Sequence, residues 1–203
     1  MNKINLAKKI SKKYHRGQIR KKDNIPYYMH PYSVVKILKR YGYKDESVLS
    51  IAYLHDTVED TDLTIEEIKS LFGDYIARGV YVLSRNKGNI QEGKKKISER
   101  DYRIRLLNSS IDFQRVKLAD IIHNTSTLDA LSNSGIEKKI LSSKEFYIPL
   151  GKKISPKMVI ELEKNIKNYL SLDKSNRKLI KDNSYFLNKS NKEYIEKIKR
   201  KYN

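Results

Sequence analysis

The sequence predicts an all-α protein folded as a single domain, on three observations. Apolar residues recur at helical spacing along most of the chain, no clean period-2 alternation runs long enough to require a sheet, and helix-opening residues separate the apolar runs. A length of 203 residues is enough to bury a core without covalent staples. With no cysteine, a disulfide framework and a thiolate metal site are both excluded, so any metal must be bound by nitrogen and oxygen. The 43 Lys and Arg exceed the 24 Asp and Glu by 19, which suits a nucleic acid, an anionic membrane surface or a small polyanionic substrate. The same excess, mostly lysine scattered among Asn and Ile, is also what biased codon usage yields on a solvated face. The first residues lack an apolar leader and no apolar run is long enough to span a bilayer, so a cytoplasmic protein without membrane contact is expected.

Ile4, Ala7, Ile10 and Tyr14 mark a first helix. Val34, Val35, Ile37, Leu38 and Tyr41 mark a second, with Pro31 suited to its first turn. Between them Gly17 to Pro31 reads as a polar connection with turn signals at Asp23-Asn24 and Pro26. A third helix is expected from Asp45 through Val48, Leu49, Ala52 and Leu54 to His55. Thr64 followed by Glu67 is a capping box that opens a helix closing near Gly73. Arg85 to Ser98, with Gly88 and Gly93, reads as a mobile surface loop. Tyr102 to Leu107 returns to helix, and Val116, Leu118, Ala119, Ile121 and Ile122 predict a buried core helix to about Leu131. After Pro149 an amphipathic helix is expected over Met158 to Leu172. Residues 1–172 thus form the expected domain. Residues 173–203 form a basic helical extension, whose last thirty positions hold ten Lys/Arg against three Asp/Glu.

The chemistry is concentrated in His55-Asp56-Thr57-Val58-Glu59-Asp60, at the end of an apolar helix. On a helix His55 and Glu59 are four apart, and Asp56 is three from Glu59 and four from Asp60, so these acids repel unless a cation joins them. Asp120 sits in an apolar register between Ala119 and Ile121, with His123 and Asn124 close behind; a buried unpaired aspartate is costly. Each feature has a structural explanation of its own. Asp120 suits an ion pair with Arg115 or Lys117, Glu59 and Asp60 suit a helix terminus, and His30 suits a cap before Pro31. Taken together, two imidazoles and two carboxylates make a site for Mn, Fe, Mg or Zn with positions open to water.

Four strings in order resemble the HD-domain hydrolases of the RelA/SpoT type, and most of all the stand-alone small alarmone hydrolases. They are His15-Arg16-Gly17-Gln18-Ile19-Arg20-Lys21, Pro26-Tyr27-Tyr28-Met29-His30-Pro31, Leu54 to Thr61 (LHDTVEDT), and Val116-Lys117-Leu118-Ala119-Asp120-Ile121-Ile122-His123-Asn124. The resemblance covers roughly residues 3 to 172 and implies the helical bundle of HD domains. It implies one divalent cation, usually Mn²⁺, held by His30, His55, Asp56 and Asp120, with Glu59 and Asp60 positioning and deprotonating the attacking water. Arg20 and Lys21 would pack against the base, Asn124 and Thr127 would contact the sugar or its 5′ side, and Tyr102 with Arg103 would lie near it. The implied substrate is guanosine tetra- or pentaphosphate, cleaved at its 3′-diphosphate to GDP or GTP and pyrophosphate. At 203 residues the synthetase domain of long relatives is not expected.

An adjacent acidic pair also allows one carboxyl a raised pKa, fit to protonate a leaving group. Lys87 and the Lys94-Lys95-Lys96 run are the expected steering charges for an anionic substrate. The competing readings are an HD phosphohydrolase for another nucleotide, such as an adenine alarmone or NADPH, and a basic nucleic-acid-binding protein. The second leaves Glu59, Asp60 and Asp120 unexplained, though Lys197-Ile198-Lys199-Arg200-Lys201 favours it. Oligomeric state is not legible in the sequence.

Overall fold

A computed structural model describes residues 2–20, 25–85 and 96–172, and among them the fold is all-α, as expected. The helices are α1 (Lys3–Tyr14), α2 (Met29–Arg40), α3 (Glu46–Leu54), α4 (Thr57–Asp60), α5 (Ile65–Phe72), α6 (Asp74–Leu83), α7 (Glu99–Leu107), α8 (Ile111–Thr125), α9 (Asn133–Ser142), α10 (Ile148–Ile154) and α11 (Pro156–Leu172). An isolated antiparallel bridge pairs Ile19 with Pro26. The described chain packs as two compact units, residues 1–120 and residues from 121 on, with the division inside α8.

In the first unit α3 is the central element, packed against α1, α2 and α6. Its residues Val48 to Leu54 are all buried, which follows from apolar side chains on every face. Asp45 caps it by accepting from the Ser47 and Val48 amides at 2.8 and 3.0 Å. The expected capping box at Thr64 and Glu67 is formed, and α5 closes at Gly73, whose φ of 89° is open to glycine but strained for other residues. Gly73 also opens α6, a helix the sequence reading did not anticipate because Gly73 precedes it and Gly79 interrupts it. Gly79 is there for contact. A Cβ at this position would lie 2.5 and 2.8 Å from Ile51 of α3 and 3.0 Å from Phe113 of α8.

Two expectations are corrected. The helix through His55 and Glu59 is broken: α3 ends at Leu54, His55 and Asp56 are its junction, and α4 is a single turn. The core helix expected to about Leu131 ends at Thr125, where Thr125 Oγ1 turns back to the Ile121 carbonyl at 2.9 Å. The second unit also contains α9, a π turn over Ser143–Tyr147 and α10, none of which the pattern of charges suggested. Pro149 lies in the first turn of α10 rather than breaking the chain, and Pro156 opens α11. This unit is filled by Ile136, Ile140, Phe146, Leu150, Met158 and Leu162 among others. No described helix is long and apolar enough to cross a membrane. The expected basic extension, 173–203, lies outside the described residues.

Gly79→Val places branched carbon where Ile51 and Phe113 already touch. Chemical denaturation is expected to show a loss of about 1–3 kcal/mol, and unchanged stability would show that α3 and α6 do not need this close approach.

Candidate metal centre

Three places in the first unit bring the expected donors together. His30 is in the first turn of α2, His55 and Asp56 form the junction after α3, and Asp120 closes the part of α8 that belongs to this unit. His30 is thus inside a helix and not a cap before one. Its Nε2 lies 3.0 Å from Asp120 Oδ1 and 3.3 Å from Asp56 Oδ2. His55 Nε2 lies 3.1 Å from Asp56 Oδ2 and 3.8 Å from Asp120 Oδ1. Donor atoms of His30, His55 and Asp56 fall within 4.8 Å of one another. The imidazoles are 2–3% exposed, Asp120 5% and Asp56 20%, so the cluster is dry except at Asp56.

The break after α3 sets the tautomer of His55. Its Nδ1 meets the Ala52 carbonyl at 2.8 Å, and a carbonyl only accepts, so Nδ1 carries the proton and a neutral ring turns its Nε2 lone pair to the carboxylates. That Nε2 is buried without a hydrogen-bond partner. A fixed, unpaired imidazole nitrogen beside two carboxylates is the donor set a divalent cation fits. Asp120 also takes Lys117 Nζ on its other oxygen, Oδ2, at 2.9 Å. The ion pair and the convergence on the imidazoles therefore coexist, one oxygen each.

Electrostatics follow the geometry. Burial alone would lower the imidazole pKa values, but the two carboxylates outweigh it and raise both, His55 to about 10. Burial acts the other way on Asp56 and Asp120, yet their cationic neighbours hold both well below the ordinary 3.8, His55 foremost for Asp56 and Lys117 for Asp120. The imidazole contribution to stability is complete below pH 6.5 and is lost as pH rises through the raised values. The carboxylate contribution is present above 3.8 and is lost as pH falls through the depressed ones.

Glu59 and Asp60 occupy different environments. Glu59 accepts from the Arg85 amide at 2.9 Å and from Lys96 Nζ at 2.8 Å, one bond to each oxygen. Asp60 is raised, first by burial and then by repulsion from Asp56. Tyr27 Oη lies 2.8 Å from Asp56 Oδ2 and 3.1 Å from Asp60 Oδ2. One hydroxyl proton serves one acid at a time, so Tyr27 donates to either Asp56 or Asp60 and links the two carboxylates.

Tyr27 was quoted in a motif but given no role, because only the fold shows what it reaches. Its ring lies 4.8 Å from that of His15, whose Nδ1 donates to Gln18 Oε1 at 2.8 Å; Gln18 Nε2 in turn donates to the Asp60 carbonyl at 2.8 Å. Thus three residues of the first two motifs hold the acidic turn. Lys117 was expected as a partner of Asp120, but not the support of Tyr102 beneath it: Lys117 Nζ sits 5.4 Å over the buried Tyr102 ring, whose hydroxyl donates to the Leu83 carbonyl at 3.2 Å.

The expected nucleotide contacts are more scattered. Arg20 is half-buried and its amide donates to the Ile25 carbonyl at 3.0 Å. Lys21 lies outside the described residues, as do Lys87, Lys94 and Lys95. Asn124 and Thr127 belong to the second unit, in the last turn of α8 and just beyond it. There Asn165 of α11, absent from the sequence expectations, donates to the Ile122 carbonyl at 3.1 Å. Arg103 pairs with Glu99 at 3.0 Å.

Residues 7–154 match the family model described as HD domain. A Synechocystis protein named "Probable guanosine-3′,5′-bis(diphosphate) 3′-pyrophosphohydrolase" is 33% identical over 151 residues, covering 68% of this chain and 18% of its own. A Brucella melitensis protein named GTP pyrophosphokinase rsh is 34% identical over 173 residues, 84% of this chain and 23% of its own. The chain thus spans about a fifth of the length of these curated relatives. Among solved structures, a metazoan ortholog of SpoT described as hydrolysing ppGpp superposes with a TM-score of 0.70 at 25% identity, over 83% of this chain and 96% of that one.

A cation must displace the imidazole protons, so its uptake near pH 7 is expected to release about one to two protons per ion. Apparent affinity should therefore climb with pH below the raised imidazole values. Calorimetry in two buffers of different ionisation enthalpy measures the release. Uptake without it would mean the imidazoles are not the donors.

Proposed function

We propose that this chain, which belongs to the HD-domain family and is of the RelA/SpoT type, hydrolyses guanosine tetra- or pentaphosphate to GDP or GTP and pyrophosphate. The observation that carries the reading is the convergence of His30, His55, Asp56 and Asp120 in one dry cluster, with His55 Nε2 fixed and unpaired. These four are the proposed ligands of one divalent cation, with Mn²⁺ the expected ion. When bound, such an ion lowers the pKa of water towards neutrality and offsets charge on phosphoryl oxygens.

The remaining roles fall to the chain's own residues. Glu59 is the proton acceptor for the attacking water, aimed by the Arg85 amide. Lys96, an exposed ammonium on the other Glu59 oxygen, exchanges that carboxylate for an incoming phosphate and frees it to act. Water adds to the phosphorus next to the ribose 3′ oxygen, the P–O bond to that oxygen breaks, and pyrophosphate departs. Asp60, its pKa raised by burial and by Asp56, is the proposed donor of the proton that the 3′ oxygen takes. Tyr27 holds Asp60 against Asp56 and so keeps the proton at the site. Arg20 and Lys21 are proposed for the base, Asn124 and Thr127 for the sugar or 5′ side. The names of the relatives support a guanine substrate, and the basic composition suits a polyanion.

Product analysis after incubation with guanosine tetraphosphate and Mn²⁺ tests this directly. GDP plus pyrophosphate is expected, lost on chelation and in Asp120→Ala. No turnover with metal bound would shift the substrate to another nucleotide, such as an adenine alarmone or NADPH. A chain that binds no metal but binds nucleic acid with steep salt dependence would defeat the hydrolase reading.

Glu59→Ala should keep its metal and lose about 10²- to 10⁴-fold in kcat. Full turnover in that variant would remove Glu59 from water activation. Tyr27→Phe, with its metal content likewise retained, is expected to lower kcat more than it changes KM.

A further inference from the structure

Apart from the metal cluster, α1, α2 and α3 enclose a second cavity of about 320 Å³. Lys8, Ser11 and Lys12 of α1 line it, with Tyr28 and Tyr32 from the start of α2 and Tyr53 from α3. Its volume is at the lower end for small-molecule sites.

Ser11 is 2% exposed, and its Oγ has no hydrogen-bond partner. Helical serines ordinarily turn back to the carbonyl one turn earlier. In this same protein Ser50 does so to Glu46 at 2.7 Å and Ser143 to Lys139 at 2.8 Å. Ser11 does not, although leaving a buried hydroxyl unmet is costly. An unmet hydroxyl in a cavity wall is a place for a ligand atom.

The charge of the wall says which kind. No acid lines the cavity, α1 has none in its sequence, and among the described residues neither Lys8 nor Lys12 is in an ion pair. Each ammonium instead lies over a tyrosine ring, Lys8 at 5.3 Å from Tyr32 and Lys12 at 5.2 Å from Tyr28. Lysines one turn apart on α1 present two cations to one occupant. Tyr53 is 5% exposed, and burial, with Tyr32 second, holds its phenol neutral and able to donate.

The geometry points to a binding site for a small anion that carries a flat ring, a mononucleotide by size and charge, distinct from the metal centre. Its phosphate lies between the Lys8 and Lys12 ammoniums and meets the Ser11 hydroxyl, and its ring lies against the tyrosines. This assignment is independent of the hydrolase reading, since the cavity uses none of the residues proposed for the reaction.

Calorimetric titration of the full chain with GMP tests it, before and after chelation of metal. Saturable binding is expected in both states, weaker by at least about tenfold in the Lys8→Glu/Lys12→Glu double variant. Ser11→Ala is expected to weaken GMP about fivefold while raising the Tm of the ligand-free protein, because the unmet hydroxyl is gone. The charge-reversed lysines are exposed, and an unchanged melting profile checks that the double variant folds. Absence of GMP binding would overturn the proposal, as would binding that chelation abolishes and the lysine changes leave intact. Equal affinity for inorganic phosphate would overturn the assignment of a ring-bearing ligand.

Discussion

Asp56 and Asp120 approach the same imidazole nitrogen, His30 Nε2, at 3.3 and 3.0 Å, where little water screens their repulsion. Like charges this close are held only if positive charge is supplied locally. The surrounding structure supplies it in layers. The carboxylates raise the pKa of both imidazoles, Lys117 pairs with the outer oxygen of Asp120, and Tyr27 donates to Asp56. A cation replacing the imidazole protons would use the same arrangement, which is why a proton-binding cluster and a metal site look alike here.

The layers also separate two acids that the chain places side by side. Glu59 is turned to a backbone amide and an exposed lysine, whereas Asp60 is turned inward to Tyr27 and the field of Asp56. The two acids thus meet different surroundings, and environment rather than residue type makes the difference. Both lie on the single turn of α4, where successive residues point about 100° apart and so meet different surroundings.

The support for the cluster comes from distant parts of the first unit. α3 positions His55 just past its buried C-terminal end, and Gly79 lets α6 approach Ile51 closely enough to hold that helix in place. Tyr102 of α7 underlies Lys117, and the His15-Gln18 pair ties the loop after α1 to the Asp60 carbonyl. Charged groups are therefore oriented by neutral ones, and the packing of neutral ones depends on glycine and apolar contact.

The amino-acid sequence by itself determined the helical class, the family and the four residues that converge, because helical spacing and short ordered motifs are local properties of the chain. It also located the Thr64–Glu67 cap, a bond between near neighbours. It did not locate α6 or the helices of residues 133–154, where glycine, proline and charge obscure the period and burial decides the outcome. Nor did it show that Tyr27 bridges Asp56 and Asp60, that Lys96 occupies Glu59, or that Ser11 is left without a partner. Those facts join residues up to 37 positions apart, or in the case of Ser11 depend on what surrounds it. Only the tertiary structure decided them, because proton positions and unmet hydrogen bonds follow from distance and burial, and neither is written in the order of residues.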